Sequence, residues 1–247
     1  SLPMLWIAGA LAVFTAGGLT GVMVALAPFD WQVHDSYFIV AHLHYTLFGG
    51  MVFPEIAGMY YFYPFLAKKM MSERLGRWSF WLTFTGFNIC FLPMHLTGLL
   101  GMPRRVYTYP GDLGWDWLNM VSTVGAFILA AGILTFAWDL VRPKGRQPQV
   151  PRNPWDAGTI EWTHDVPGEA WGVRSIPHVT SRYPLWDQPK LVERMDAGRY
   201  YLPDAEEGLR ETLITTVIDA KPIQVQRVTG PAWITLMAAF FTGGAFI

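Results

Sequence analysis

Charge is scarce in this chain. Only 15% of its 247 residues are Asp, Glu, Lys or Arg, against 52% hydrophobic and 15% aromatic, a balance too greasy for an ordinary soluble domain of this length. The charges nearly cancel, at −1 overall, so there is no basic excess to hold a nucleic acid. Cysteine is almost absent: Cys90 is solitary, lies in an apolar run, and reads as a small core residue. Ser1 is no initiator, and no basic leader or cleavage motif opens the chain. With the first apolar run already under way there, the sequence reads as a piece of something longer.

What is present is long uncharged runs. Residues 1–29, 36–54, 78–103 and 117–138 hold no Asp, Glu, Lys or Arg, and each approaches or exceeds the roughly 20 residues a helix needs to cross a bilayer. They predict an all-α integral membrane protein whose residues 1–143 form four transmembrane helices of a larger bundle. From 144 to 230 prolines are frequent and charges return, which predicts an extended arm with little core of its own. Its Trp155, Trp162, Trp171 and Trp186 are candidate interface anchors. A last apolar run, 231–247, is short for a span and predicts the start of a further transmembrane helix.

Lys and Arg concentrate in cytoplasmic loops. Lys68, Lys69, Arg74 and Arg77, and later Arg142, Lys144 and Arg146, therefore place 68–77 and 142–230 in the cytoplasm. The loop around PFDWQVHD, with Asp30 and Asp35 and no basic residue, faces outward. So does GMPRRVYTYPGD, where Arg104 and Arg105 break the rule. Two adjacent guanidiniums at an outer surface call for an anionic partner, either lipid phosphate or something more specific.

The stretch HDSYFIVAHLHY carries His34, His42 and His44, half of the six histidines. His42 and His44 are two residues apart, which on a helix is about 200° of rotation. The two imidazoles leave opposite faces and cannot share one metal. They can serve two separate ligands, for example two haems, whose iron accepts an imidazole nitrogen; the alternative is that each donates to a carbonyl on a neighbouring helix. Haem propionates are natural partners for guanidinium. With the helix starting near Ser36, His42 lies about 9 Å below the outer face, so propionates would point towards Arg104 and Arg105.

The segments HDSYFIVAHLHYTLFGGMVFPEIAGMYYFYP and FLPMHLTGLLGMPRRVYTYP resemble the last four helices of subunit I of the haem-copper terminal oxidases. The resemblance implies that His42 is the axial ligand of the high-spin haem at the oxygen site and His44 an axial ligand of the low-spin haem. It gives Arg104 and Arg105 to the propionates, and Asp30 to the propionate and proton-exit region. His34 and Asp35 resemble the pair that holds magnesium at the boundary with subunit II. The copper ligands and the second low-spin histidine belong to helices outside this chain, so the fragment alone cannot reduce oxygen. His34-Asp35 rather than His-Asn, and Met102-Pro103-Arg104-Arg105 rather than MTRR, resemble the cytochrome c branch with haems of the a type, as against the quinol-oxidising branch.

The segments RNPWDAGTIEW, TSRYPLWD, GRYYLPDA and ETLITTVIDAKP resemble bacterial subunit I continuing into a fused subunit III. The implied setting is the bacterial cytoplasmic membrane, with membrane lipid, the remaining helices of subunit I, subunits II and III and cytochrome c as partners and no nucleic acid. The implied activity is a proton-pumping oxidase that reduces oxygen to water. Two other classes remain open: a b-type cytochrome that only carries electrons, and a transporter lined by His34, Asp35, His42 and His44. His95 and the glycines of GGLTG, 17–21, read as structural. Glu55 is out of place in a membrane span, with no partner in the sequence.

Overall fold

The computed structural model describes residues 1–67, 69–142, 150–163, 177–199, 210–219, 221–228 and 233–244. Lys68, Lys144, Arg146, His164 and Trp171 lie outside the described residues. The chain divides into two compact units, Ser1–Gln149 and Val150–Ile247.

The first unit is helical throughout. Helix α1, Leu2–Val24, ends as the chain approaches Pro28, which sits in the first turn of the short α2, Ala27–Val33; proline suits a helix start and not a helix interior. The uncharged run 1–29 is thus two helices with a turn between them. Ser36 separates α2 from α3, Tyr37–Leu47: its hydroxyl donates to the Val33 carbonyl at 2.6 Å and accepts the Phe38 N–H at 3.2 Å. This is a serine N-cap, with the side chain meeting an N–H that the helix cannot.

The second predicted span continues well past residue 54. Helix α3 runs through a π-turn, Phe48–Val52, into α4, Phe53–Ala67. The turn precedes Pro54, which has no N–H for the Gly50 carbonyl and whose ring would collide with it in a regular helix. The longer Phe53 N–H to Phe48 carbonyl bond accommodates it. Helices α5, Glu73–Leu99, and α6, Asp116–Val141, lie side by side along their lengths. Their backbones touch at glycines. A Cβ on Gly86 would strike the backbone of Leu129, one on Gly125 that of Cys90, and one on Gly132 that of Thr83. Small residues at such crossings let membrane helices pack by close backbone approach.

Aromatic rings fill the space between α1, α4 and α5. Trp6, Phe53, Phe80 and Phe87 are buried in one cluster, with Trp6 edge-on to Phe80 at 5.2 Å. Among the described residues two helices are long and apolar enough to cross a membrane, Leu2–Val24 and Asp116–Val141, whose 18-residue windows reach mean hydropathies of 1.9 and 2.0.

The second unit is not helical throughout. Among its described residues are a 3-10 turn, Ile160–Thr163, and the short helices α7, Pro184–Asp187, and α8, Leu191–Asp196. An antiparallel hairpin follows, of β1, Arg210–Thr215, and β2, Pro222–Val228, with Leu213 opposite Val225. The alternating β-branched pattern of TLIT and IQVQRV favours strands. Trp162, Leu191 and Met195 are buried, and Arg152 pairs with Asp196 at 2.8 Å. Pro231 onwards contributes α9, Trp233–Gly244, twelve residues long.

Candidate haem-binding site

Helix α3 presents its two histidines to different neighbours. His42 faces α1: its Nδ1 lies 3.1 Å from the Gly17 carbonyl and 3.0 Å from the Thr20 hydroxyl. Thr20 itself donates to the Gly17 carbonyl at 2.9 Å. His44 faces α5: its Nδ1 lies 2.7 Å from the Val40 carbonyl, and its ring stacks on Phe91 at 4.1 Å with the planes 17° apart. A carbonyl can only accept, so either contact is a hydrogen bond only with Nδ1 as the donor. In a neutral ring that arrangement leaves Nε2 as the nitrogen able to bind a metal.

The approach of α1 to α3 is set by glycines. A Cβ on Gly17 would sit 2.9 Å from the Thr46 nitrogen, one on Gly49 would meet the backbone of Phe14, and one on Gly21 would lie 3.0 Å from His42 Cε1. The packing role read from GGLTG holds for Gly17 and Gly21, whereas a Cβ on Gly18 would meet nothing within 4 Å. What the sequence reading missed is that the same residues orient His42. A hydroxyl amid glycines was the available signal.

The loop bearing the arginines is built by the end of α5. Gly101, at φ +86°, follows the helix; its N–H donates to the Gly98 carbonyl at 3.0 Å and the Met102 N–H to the Thr97 carbonyl at 3.0 Å. This double bond pattern around a left-handed glycine is a Schellman ending. It turns the chain back over the start of α3, where Pro103 bridges Ser36 and the Tyr37 N–H donates to Met102 at 3.0 Å. Arg104 then donates its N–H to the Asp35 carbonyl at 2.8 Å, and its guanidinium pairs with the Asp35 carboxylate. Asp35 and Arg105 both adopt left-handed backbone, at φ 56° and 67°. Arg105 is exposed.

Asp30 lies on α2 and faces His34 at 3.6 Å, across one helical turn. The expected magnesium pair is therefore divided between partners, His34 with Asp30 and Asp35 with Arg104. Among the described residues no three His, Cys, Asp or Glu side chains gather as a metal site. The two histidines fit haem iron, each with one free nitrogen on its own face; the His34 and Asp35 pair fits magnesium only with ligands from elsewhere. His95 packs edge-on to Phe38 and Tyr45, at 5.0 and 5.4 Å, in line with a structural role. Glu55 is exposed on α4.

Residues 1–128 match the family model described as cytochrome c and quinol oxidase polypeptide I. The chain belongs to this family. It is 43% identical over 185 residues to cytochrome c oxidase subunit 1 of Alkalihalophilus pseudofirmus, covering 74% of this chain and 29% of that protein. Against cytochrome c oxidase subunit 1 of Bacillus sp. strain PS3 it is 39% identical, covering 81% and 32%. Against quinol oxidase subunit 1 of Bacillus spizizenii it is 41% identical, covering 72% and 25%. The chain thus spans about a third or less of the length of these relatives. A cryo-EM structure of a haem-copper terminal oxidase dimer shares the fold, with a TM-score of 0.52 at 22% identity over 59% of this chain and 28% of that one.

Proposed function

We propose that this chain forms the part of a bacterial cytochrome c oxidase subunit I that holds one face of each of two haems, as four transmembrane helices with a cytoplasmic segment behind them. The observation that carries the reading is the pair of histidines on opposite faces of α3, each with Nδ1 held by a carbonyl and Nε2 free. His42 is the ligand of the high-spin haem and His44 of the low-spin haem, both of the a type. Copper is held by residues outside this chain. When bound, these groups supply the one-electron chemistry and the oxygen-reducing metal pair.

The chain's own residues position and insulate. Gly17 and Thr20 fix the tautomer and the aim of His42, while the Val40 carbonyl and the Phe91 ring do the same for His44. Arg104 and Arg105, on the outer side above α3, neutralise carboxylate groups of the cofactors. Asp30, His34 and Asp35 form a hydrated polar rim beside them, where protons can leave towards the outer surface. Asp35 and His34 would hold a magnesium ion there only with further ligands from subunit II and with Asp35 released from Arg104. Cytochrome c as electron donor is what the resemblance of His34-Asp35 and Met102-Pro103 to that branch implies. The quinol-oxidising reading keeps the same haem residues, and the similarity to the Bacillus spizizenii protein supports it to a comparable degree.

The test is a reduced-minus-oxidised optical spectrum of the intact complex, with and without carbon monoxide, in wild type and His42→Ala. The expected result is two haem a signals, with the carbon monoxide shift lost in the variant and the low-spin band kept. A carbon monoxide shift that survives His42→Ala overturns the division of roles. Absence of haem overturns the reading entirely.

A further inference from the structure

The start of α5 carries a feature that the haem site does not use. Arg74, Arg77, Trp78 and Trp81 are all exposed and, with Glu73, line an open groove of about 500 Å³. At about 100° per residue, positions 74, 77, 78 and 81 fall within roughly a 100° arc, so the two guanidiniums and the two indoles share one face of the helix. The order along the axis is also regular. The arginines come first and the tryptophans follow, over about 10 Å from Arg74 to Trp81 at 1.5 Å per residue.

That depth and order match a membrane interface. The headgroup zone is several ångströms thick on each side of the hydrocarbon core, and tryptophan settles at its inner edge. Glu73 pairs with Arg77 at 3.7 Å, and with one carboxylate against two guanidiniums the lining of the groove carries a net positive charge. Planar guanidinium recognises phosphate oxygens in pairs. The loop before α5 is placed in the cytoplasm by its basic residues, and anionic lipids are enriched in that leaflet.

We propose that this groove is a binding site for an anionic phospholipid of the cytoplasmic leaflet. Arg74 and Arg77 hold the headgroup phosphate, and Trp78 and Trp81 lie against the glycerol and upper acyl chains. The site rests on the membrane orientation given above and is independent of haem ligation. A soluble phosphate shares the chemistry of the headgroup but has no use for the two indoles.

The intact complex, purified in detergent, is titrated with phosphatidylglycerol or phosphatidylcholine and the bound lipid is counted by native mass spectrometry. The variants are Arg74→Gln with Arg77→Gln, and Arg74→Lys with Arg77→Lys. Wild type is expected to retain phosphatidylglycerol selectively. The Gln pair should weaken that retention on the order of 10- to 30-fold, as expected for two basic side chains near an anionic surface, and the Lys pair less. No selectivity in wild type overturns the proposal, and this arm needs no variant to fold. Displacement of the lipid by millimolar inorganic phosphate overturns it in favour of a free-anion site. Failure to bind lipid because another subunit covers the groove also overturns it. The haem spectrum, recorded on each sample, reports separately on the oxidase reading.

Discussion

Arg104 and Asp35 are joined twice, by a guanidinium-carboxylate pair and by the Arg104 N–H donating to the Asp35 carbonyl at 2.8 Å. The backbone bond belongs to the bridge between the end of α5 and the start of α3, so the side chains meet because the main chains already have.

This makes the ion pair dispensable for the loop. With the Asp35 side chain 56% exposed and that of Arg104 33%, solvent screens the pair, and Asp35→Asn should cost at most about 1 kcal/mol. Gly101→Ala should cost about 1–2 kcal/mol, because a Cβ at φ +86° is strained in the left-handed region. Thermal denaturation of the complex compares the two. A larger loss in Asp35→Asn would mean that the pair is desolvated in the assembly.

Gly17 and Gly18 are neighbours with opposite expectations. A methyl on Gly17 meets the backbone of Tyr45 and Thr46, which cannot swing away, whereas one on Gly18 meets nothing within 4 Å. Gly17→Ala should destabilise by about 1–3 kcal/mol, the usual penalty for overpacking, while Gly18→Ala should be neutral or slightly stabilising. Equal losses in denaturation midpoint would contradict the close crossing of α1 and α3.

Perturbing the cradle of His42 should be felt on one haem only. Gly21→Val intrudes on a ring whose Cε1 would already lie 3.0 Å from a Cβ there. Thr20→Val removes one of two oxygens at Nδ1 and leaves the Gly17 carbonyl. The expected order of disturbance in the carbon monoxide difference spectrum is Gly21→Val above Thr20→Val, with the low-spin band unchanged in both. A shift of the low-spin band alone would exchange the two histidines' roles.

Asp139 is buried completely near the C-terminal end of α6. Its carboxylate accepts the Ser72 N–H at 3.1 Å and pairs with Arg142 at 2.9 Å, so it ties the start of α5 to the end of α6. Asp139→Ala leaves the Ser72 N–H without this acceptor and should cost about 1–3 kcal/mol, the Arg142 pair adding little because that guanidinium is 31% exposed and stays solvated. Asp139→Asn keeps an oxygen for the Ser72 N–H and should cost less. Protease accessibility of the 68–77 loop gives a second readout.

The helices were legible because absence of charge is a one-dimensional signal, and the divergence of His42 and His44 because helical rotation is fixed by spacing. The break at Ala25–Leu26 was obscured by a run that stays apolar on both sides of it. The pairing of Asp35 with Arg104 could not be read, since it depends on a Schellman ending nearly seventy residues further along the chain. Positive charge at 104 and 105 marked the loop but not its partner. The hairpin in the second unit was masked by surrounding prolines and charges, which outweighed the short alternation in TLIT and IQVQRV.

The π-turn at Phe48–Val52 divides the long helix into an upper and a lower half. A π-turn adds one residue to a regular helix, so each position beyond it is offset by about 100° from where α-helical counting would put it. The histidine faces before the turn and the Glu55 face after it are therefore out of phase, and a helical wheel drawn through all of 37–67 superimposes surfaces that do not align in space. Each half can answer to its own neighbours, so the surface that carries the histidines and the surface beyond the turn are free to be set independently.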